Sequence, residues 1–512
     1  MIRKNPVQRS GSEGLRLRIR YSENEKGNLL LLLAALLCGT ISCSDSGNGG
    51  NDDVTTDGTT TSADTTVTEA ETTADNTPKL GLPEDLKYDG YTFTFYGRAD
   101  MENKFIADDE LSGDTMNDVV WMRQQKVSDL LDVNFEYLYC SDNYANDAKD
   151  IILAGDDTYD VILPHARFAF QYAMSDLALN WLTDLKYVDL DAEWWPKDCS
   201  ESFQIGNMLC AMTGDIDYSN FGNAKCFYFN RATFDKYGWE YPYQLVKDGK
   251  WTFDKMIEYA TGSTEDLNGD QKYEFGVDHF GFATTWWGTP VNILTTAGVR
   301  MCEKDSNNNL KITLNSERTV DVFDHFFSAM NQDGLYILKQ DDATPVADAF
   351  RNSQLTFAEV DILSSESYRD MKDDFGIIPC PKYDETVEGY PSLVDAKCNL
   401  FVVPVSVSDA DRVSAVLEAL AYYGWKDVLP AYYDVALSVK FARDDDSVKM
   451  LDIIRDNRSF DIGYYCGPLP MTISSTGWNL CKTEDHNFAS FYAANIDAAQ
   501  AVVDQINEQF TK

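Results

Sequence analysis

The chain has 512 residues, with 43 Lys and Arg against 84 Asp and Glu, a formal net charge of −41 at pH 7. So acidic a surface repels nucleic acid and anionic lipid, and neither is expected as a partner. Hydrophobic residues at 44% and aromatics at 13% suffice for a folded body of two or more compact lobes.

At the N-terminus Arg3, Lys4, Arg9, Arg16, Arg18, Arg20 and Lys26 precede the apolar run Leu29 to Leu37, LLLLLAALL. That run is shorter than the about 20 residues a spanning helix needs. A basic head, a short apolar segment and small residues make a secretory signal. It ends in GTISCSDS, which resembles the lipobox of bacterial lipoproteins, with Cys43 as the residue that takes lipid. Ser42 suits the position before it, Thr40 departs from the usual Leu, and Cys38 follows the bulky Leu37 and suits less well. Residues 1–43 are therefore expected to be a lipoprotein signal peptide. Residues 44–86 form a Thr/Asp-rich linker with too little apolar area to fold.

The body begins with YTFTFYGR (91–98), which alternates like a strand. A helical spacing over 115–132 leads into the strand-like VNFEYLY. KDIILAG before YDVILP repeats the pair, KCFYFN (225–230) is a further apolar strand, and WTFDKMIEYA predicts a helix capped by Thr252. Strands alternating with helices argue for an α/β body with a largely parallel sheet.

Several phrases in order resemble the extracellular solute-binding proteins of ABC importers, chiefly the carbohydrate group. They are YDVILPHARFAFQYAMSDLALNWLTDLKYVDLDAEWW (159–195), KCFYFNRATFDKYGW, WTFDKMIEYA, FGIIPCPKYD, NLFVVPVSVSDADRVSAVLEALAYY and YYDVALSVKFARDD. The resemblance covers about 90 to 510. It implies a two-lobed α/β fold of the type II periplasmic-binding-protein kind, with an interlobe ligand cleft closed by hinge motion. By analogy one lobe holds 88–212 and 395–430, and the other 213–394 and 431–512. The implied role is that of a monomeric receptor on the extracellular face of the cell membrane, lipid-anchored. It would capture a solute, most readily an oligosaccharide, for a membrane permease; the alternatives are a receptor for peptides or other polar solutes and, after it, a secreted glycan-active enzyme.

In α/β lobes ligands sit beyond the carboxyl ends of strands. That rule selects Arg98 after the first strand, and His165 with Arg167 after YDVILP. Sugar sites pair aromatic faces with planar polar groups, which adds Asp217 and Tyr218 in GDIDYSNFG and Trp286 and Trp287 in TTWWGTP. Asp361 after LTFAEV, Tyr433 in AYYD and Trp478 in STGW complete the candidates. The Trp194–Trp195 pair is assigned to packing.

One stretch points to a metal. DLNGDQKYE places Asp266, Asn268, Asp270 and Glu274 at alternating positions, with the Lys272 carbonyl between them, the hard-oxygen pattern of a calcium loop. Gln271 stands where an EF-hand wants Gly and Val277 where it wants Glu, so the alternative is an exposed Asx-rich turn. No other cofactor is expected. The nine body cysteines contain no C-x-x-C pair, which argues against thiolate zinc or a redox dithiol. The absence of H-E-x-x-H, G-x-S-x-G and P-loop patterns argues against the enzymes that use them.

Overall fold

The computed structural model describes residues 78–99, 104–107, 111–142, 145–438 and 445–511. The signal, Cys43 and nearly all of the linker lie outside them.

The first sheet consists of β1 (Tyr91–Gly97), β2 (Val133–Tyr139) and β3 (Val161–Leu163), in the order β2-β1-β3 and parallel throughout. Helix α1 (Thr115–Leu131) connects β1 to β2. Asp114 caps it by accepting from the Asn117 N–H, and the chain turns out of it through a left-handed Asp132 at φ 52°. The helix, the strands and their boundaries match the spacing of apolar residues read from the sequence.

The second sheet has β4 (Lys225–Asn230), β5 (Phe280–Thr285), β6 (Leu335–Leu338), β7 (Leu355–Asp361) and β8 (Phe375–Pro379), ordered β8-β4-β7-β5-β6. Here the expectation of a largely parallel sheet needs amending. β5 runs parallel to both neighbours, whereas β4 runs antiparallel to β7 and β8. The reason is the route of entry: β4 arrives from the first sheet instead of from a crossover helix, so nothing imposes the βαβ direction on it. Its six residues are all buried. Alternation sends Phe227 and Phe229 into one core with Trp251, Phe282 and Phe357, and Cys226 and Tyr228 into another with Phe350 and Phe375.

Helix α2 (Phe253–Gly262) is capped by the Thr252 hydroxyl accepting from the Lys255 N–H at 3.3 Å, as its sequence predicts. α3 (Thr289–Thr296) follows β5, α4 (Ala410–Tyr423) packs on α1, and α5 (Thr476–Lys482) packs on α3. The α3–α5 approach is close because Gly477 faces the Pro290 carbonyl, where a Cβ would collide.

Three stretches of chain run side by side between the sheets. Met212 pairs with Phe401, Ala224 with Val394, and Ser392–Leu393 with Arg458–Ser459. These crossovers define a two-lobed α/β architecture. Among the described residues no helix is long and apolar enough to cross a membrane. All nine body cysteines are free thiols, eight of them buried.

Candidate functional site

Strands of both sheets end at the crossovers. In the first lobe, Arg98 follows β1, and His165 to Arg167 follow β3. In the second, Trp286 follows β5, and β7 ends at Asp361, which pairs with Lys225 at the start of β4. Loops beyond the carboxyl ends of parallel strands are where α/β lobes hold ligands.

The centre of this region is charged. Lys225 faces Asp395 of the second crossover at 3.1 Å, both side chains nearly enclosed. Burial opposes both charges, yet each sustains the other. Burial would raise Asp395, but Lys225 and Lys397 hold it down at about 2. Burial would lower Lys225, but Asp395, Asp361 and Glu359 hold it above the ordinary lysine value. Glu359 lies two residues before Asp361 and so on the same strand face. It accepts from the Thr289 hydroxyl and, at 3.5 Å, from Asn292 Nδ2, both on α3. Burial pushes its carboxyl up to about 7.

Arg167 links this centre to the C-terminal helices. Its guanidinium donates to Ser474 Oγ and, at 3.0 Å, to Ser475 Oγ, and lies 5.2 Å from the centre of the Tyr464 ring. Gly467 makes the contact possible, since a Cβ there would strike the Arg167 carbonyl. Ser475 precedes α5, and one turn further Trp478 meets Trp286 edge-on at 6.2 Å, with Trp287 6.4 Å from Trp286. The Lys482 ammonium sits over Trp478 at 3.6 Å and over Trp286 at 4.6 Å. The enclosed Nε1 donors of Trp286 and Trp478 have no hydrogen-bond partner.

The residues expected from sequence divide into two sets. Arg167, Trp286, Trp287 and Trp478 gather near α5, whereas Asp361 lies at the end of β7 opposite Lys225. His165 caps the short turn Ala166–Phe168, its Nδ1 accepting from the Arg167 N–H at 3.4 Å. The other set builds the crossovers. Asp217 is fully buried, accepting from the Ser219 N–H and hydroxyl at 2.7 Å each and from Asn399 Nδ2 at 2.8 Å. It thereby ties the first crossover to the second. Tyr218 packs on Tyr432, Tyr433 stacks on Phe221, and Arg98 donates to the Lys397 carbonyl at 3.2 Å. Asp361 uses Oδ1 on the Ser364 N–H and hydroxyl. Lys225, Glu359, Asp395, Tyr464, Ser474, Ser475 and Lys482 were not anticipated. For Glu359 the signal was available, because period-two alternation places it beside Asp361.

In the expected calcium loop both oxygens of Asp266 accept backbone N–H groups, of Gly269 and Gln271. Asn268 and Asp270 accept those of Asp270 and Lys272. Glu274 offers its own N–H to Asp278. No three carboxylate, imidazole or thiol ligands are gathered for a metal ion among the described residues. The hydrogen bonds within the loop are those of an Asx-rich turn.

No protein-family model and no curated protein matches the chain. Solved structures do. UgpB from Mycobacterium tuberculosis, in complex with glycerophosphocholine, aligns with TM-score 0.53 at 14% identity, over 82% of this chain and 99% of its own. An ABC transporter solute-binding protein from Thermotoga lettingae, bound with α-D-tagatose, gives 0.50 at 14%, over 81% and 100%. The GacH receptor of Streptomyces glaucescens, solved unliganded and with acarbose, gives 0.50 at 11%, over 81% and 99%. At these identities what is shared is the fold. The chain has the two-lobed type II fold of the ABC-transporter solute-binding proteins.

Proposed function

We propose that the protein is the extracellular receptor of an ABC importer, capturing an oligosaccharide between its lobes and delivering it to a membrane permease. The observation that carries this reading is the convergence of Arg167, Tyr464, Lys225, Asp395 and Glu359 with an aromatic corner at the crossovers. Hinge motion about those crossovers closes the lobes on the ligand. Of the structurally similar proteins, two were solved with the sugar-type ligands tagatose and acarbose, which supports a sugar-type ligand here, and one with the polar phosphodiester glycerophosphocholine.

In this reading Trp286, Trp287 and Trp478 stack on sugar rings, while Asp361, His165 and Arg167 meet hydroxyls. Arg98, Asp217, Tyr218 and Tyr433 hold the crossovers on which the lobes turn. The lobes divide as 88–212 with 395–430 and 213–394 with 431–512. Cys43 carries the lipid and residues 44–86 hold the monomeric body off the membrane.

The test is thermal unfolding of the purified protein against mono- and oligosaccharides, with peptides and amino acids as controls. A ligand at 100 times its Kd adds about 2.7 kcal/mol to stability. A rise in Tm with the sugar recovered unchanged supports the receptor. A response to peptides alone replaces the ligand class, and silence throughout removes the function.

A further inference from the structure

The site has an uneven balance of charge. Each of its carboxylates is occupied within the protein: Asp395 by Lys225 at 3.1 Å, Glu359 by Thr289 and Asn292, Asp361 by Ser364. Two of its cations are not matched in this way. Arg167 donates to the hydroxyls of Ser474 and Ser475 and lies over Tyr464; Asp395, already paired with Lys225, acts on it only from a distance, and among the described residues no carboxylate lies within ion-pair reach of it. Lys482 lies over Trp478 and Trp286, and among the described residues no carboxylate lies within ion-pair distance of it. Beside it, the indole N–H groups of Trp286 and Trp478 are enclosed without an acceptor. In a chain of net charge −41, this corner is a concentration of donors and positive charge.

Helix geometry puts these groups in a line. Ser475 precedes α5, and Trp478 and Lys482 follow at spacings of three and four residues, which places all three on one face. At 1.5 Å per residue the line runs about 10 Å from Ser475 to Lys482. Arg167 marks one end, the two indoles the middle and the Lys482 ammonium the other end.

Lobe closure over this face removes water from it. An ammonium desolvated without a counter-charge is costly, as is a donor with no acceptor. A neutral sugar offers hydroxyls to the donors but leaves the charge uncompensated. A ligand with an anionic oxygen group answers both, because charge-assisted hydrogen bonds are the stronger ones. Resting on the receptor reading above, we propose that the ligand is an anionic glycan, carrying carboxylate or sulfate, that lies along the α5 face with its rings on Trp478 and Trp286 and its negative group on Lys482.

The experiment uses the purified full-length protein and three probes: tri-galacturonate, a sulfated chondroitin disaccharide and neutral maltotriose. Binding is read from Tm shifts and titration calorimetry in the wild type, Lys482→Gln and Lys482→Arg. Lys482 is exposed, so both variants should fold; Lys482→Gln gives up the contacts with Trp478 and Trp286, so every ligand shift is read against that variant's own ligand-free Tm. The expected result is stabilisation by one anionic probe, weakened by added salt. Lys482→Gln should weaken it about tenfold, equivalent to about 1.4 kcal/mol, and Lys482→Arg should retain it. Which anionic probe responds separates carboxylate from sulfate. Equal or stronger stabilisation by maltotriose overturns the proposal while leaving the receptor intact. So does an anionic probe that binds Lys482→Gln as tightly as the wild type. Silence on both anionic probes overturns it as well, and a response elsewhere in the wider ligand panel then keeps the receptor reading alive.

Discussion

At Trp194–Trp195 the two indole N–H groups donate to the two oxygens of one buried carboxylate, Glu418 of α4, at 2.9 Å each. At Trp286–Trp287 the Trp286 N–H is enclosed with no acceptor, as is that of its neighbour Trp478. The same dipeptide is thus used in two ways. Trp194 and Trp195 are 3% exposed and complete in themselves, whereas Trp286 and Trp287 are half-buried in the turn between β5 and α3. A buried donor left unpaired costs about 1–3 kcal/mol, so a fold keeps one only where something offsets it. The comparison separates a pair whose donors are satisfied inside the fold from a half-buried pair in which the Trp286 donor is not.

The largest effect is expected where the pairing is complete. Glu418→Ala leaves two buried donors unsatisfied and should cost about 2–6 kcal/mol at 1–3 per donor, read by urea denaturation. A loss below 1 kcal/mol would erase the distinction between the two pairs. The same carboxyl gives a pH test. Burial pushes Glu418 up to about 7 from its ordinary 4.5, against the pull of the two indoles and the Asp189 N–H. The folded state therefore holds a proton that the unfolded state releases between those values. Its contribution to stability is full below about pH 4.5 and is lost as pH rises through about 7. Glu418→Gln should flatten this part of the stability–pH profile between pH 5 and 8; an unchanged slope would mean that other groups set it.

At the incomplete pair the expectation inverts. Trp286→Phe removes a donor that has no acceptor, so stability should change by less than about 1 kcal/mol. Ligand binding, measured by calorimetry, should weaken by about 1–3 kcal/mol as the larger ring face and its N–H are lost. A variant that unfolds more easily but binds as before would make Trp286 a packing residue like Trp194.

Sequence reading reached the two pairs unequally. Trp194–Trp195 was assignable to packing from its place in an acidic connecting stretch, but nothing in the sequence named Glu418, 223 residues or more away. The strands and helices were legible because alternation and helical spacing are local. The antiparallel entry of β4 was not, since its direction is set by where the crossover delivers it. The same division runs through the site. Trp286 and Asp361 sit where strand ends announce them, while Trp478 lies in the first turn of α5. Lys225 and Asp395 form their pair across 170 residues, and Ser474 and Ser475 matter only because Arg167 arrives from the other lobe. Asp217 shows the converse limit: a carboxylate in a crossover reads like a ligand-binding group from sequence, and only the structure reveals its three internal donors.

The smallest expected effect concerns the loop at 266–274, which sets a self-sufficient turn against an ion-dependent one. Asp270 Oδ1 accepts the Lys272 N–H at 2.9 Å, and Asp266 accepts the Gly269 and Gln271 N–H groups at 2.6 and 2.7 Å. These are the Asx contacts that let such a segment turn without outside help. Asp270→Ala removes one exposed hydrogen bond, so the loss should be about 0.5–1.5 kcal/mol at most, and the same in calcium as in chelator. A loss seen only in calcium would show that the carboxylates reorganise around an ion. That would return the loop to the calcium reading that its alternating oxygens first suggested.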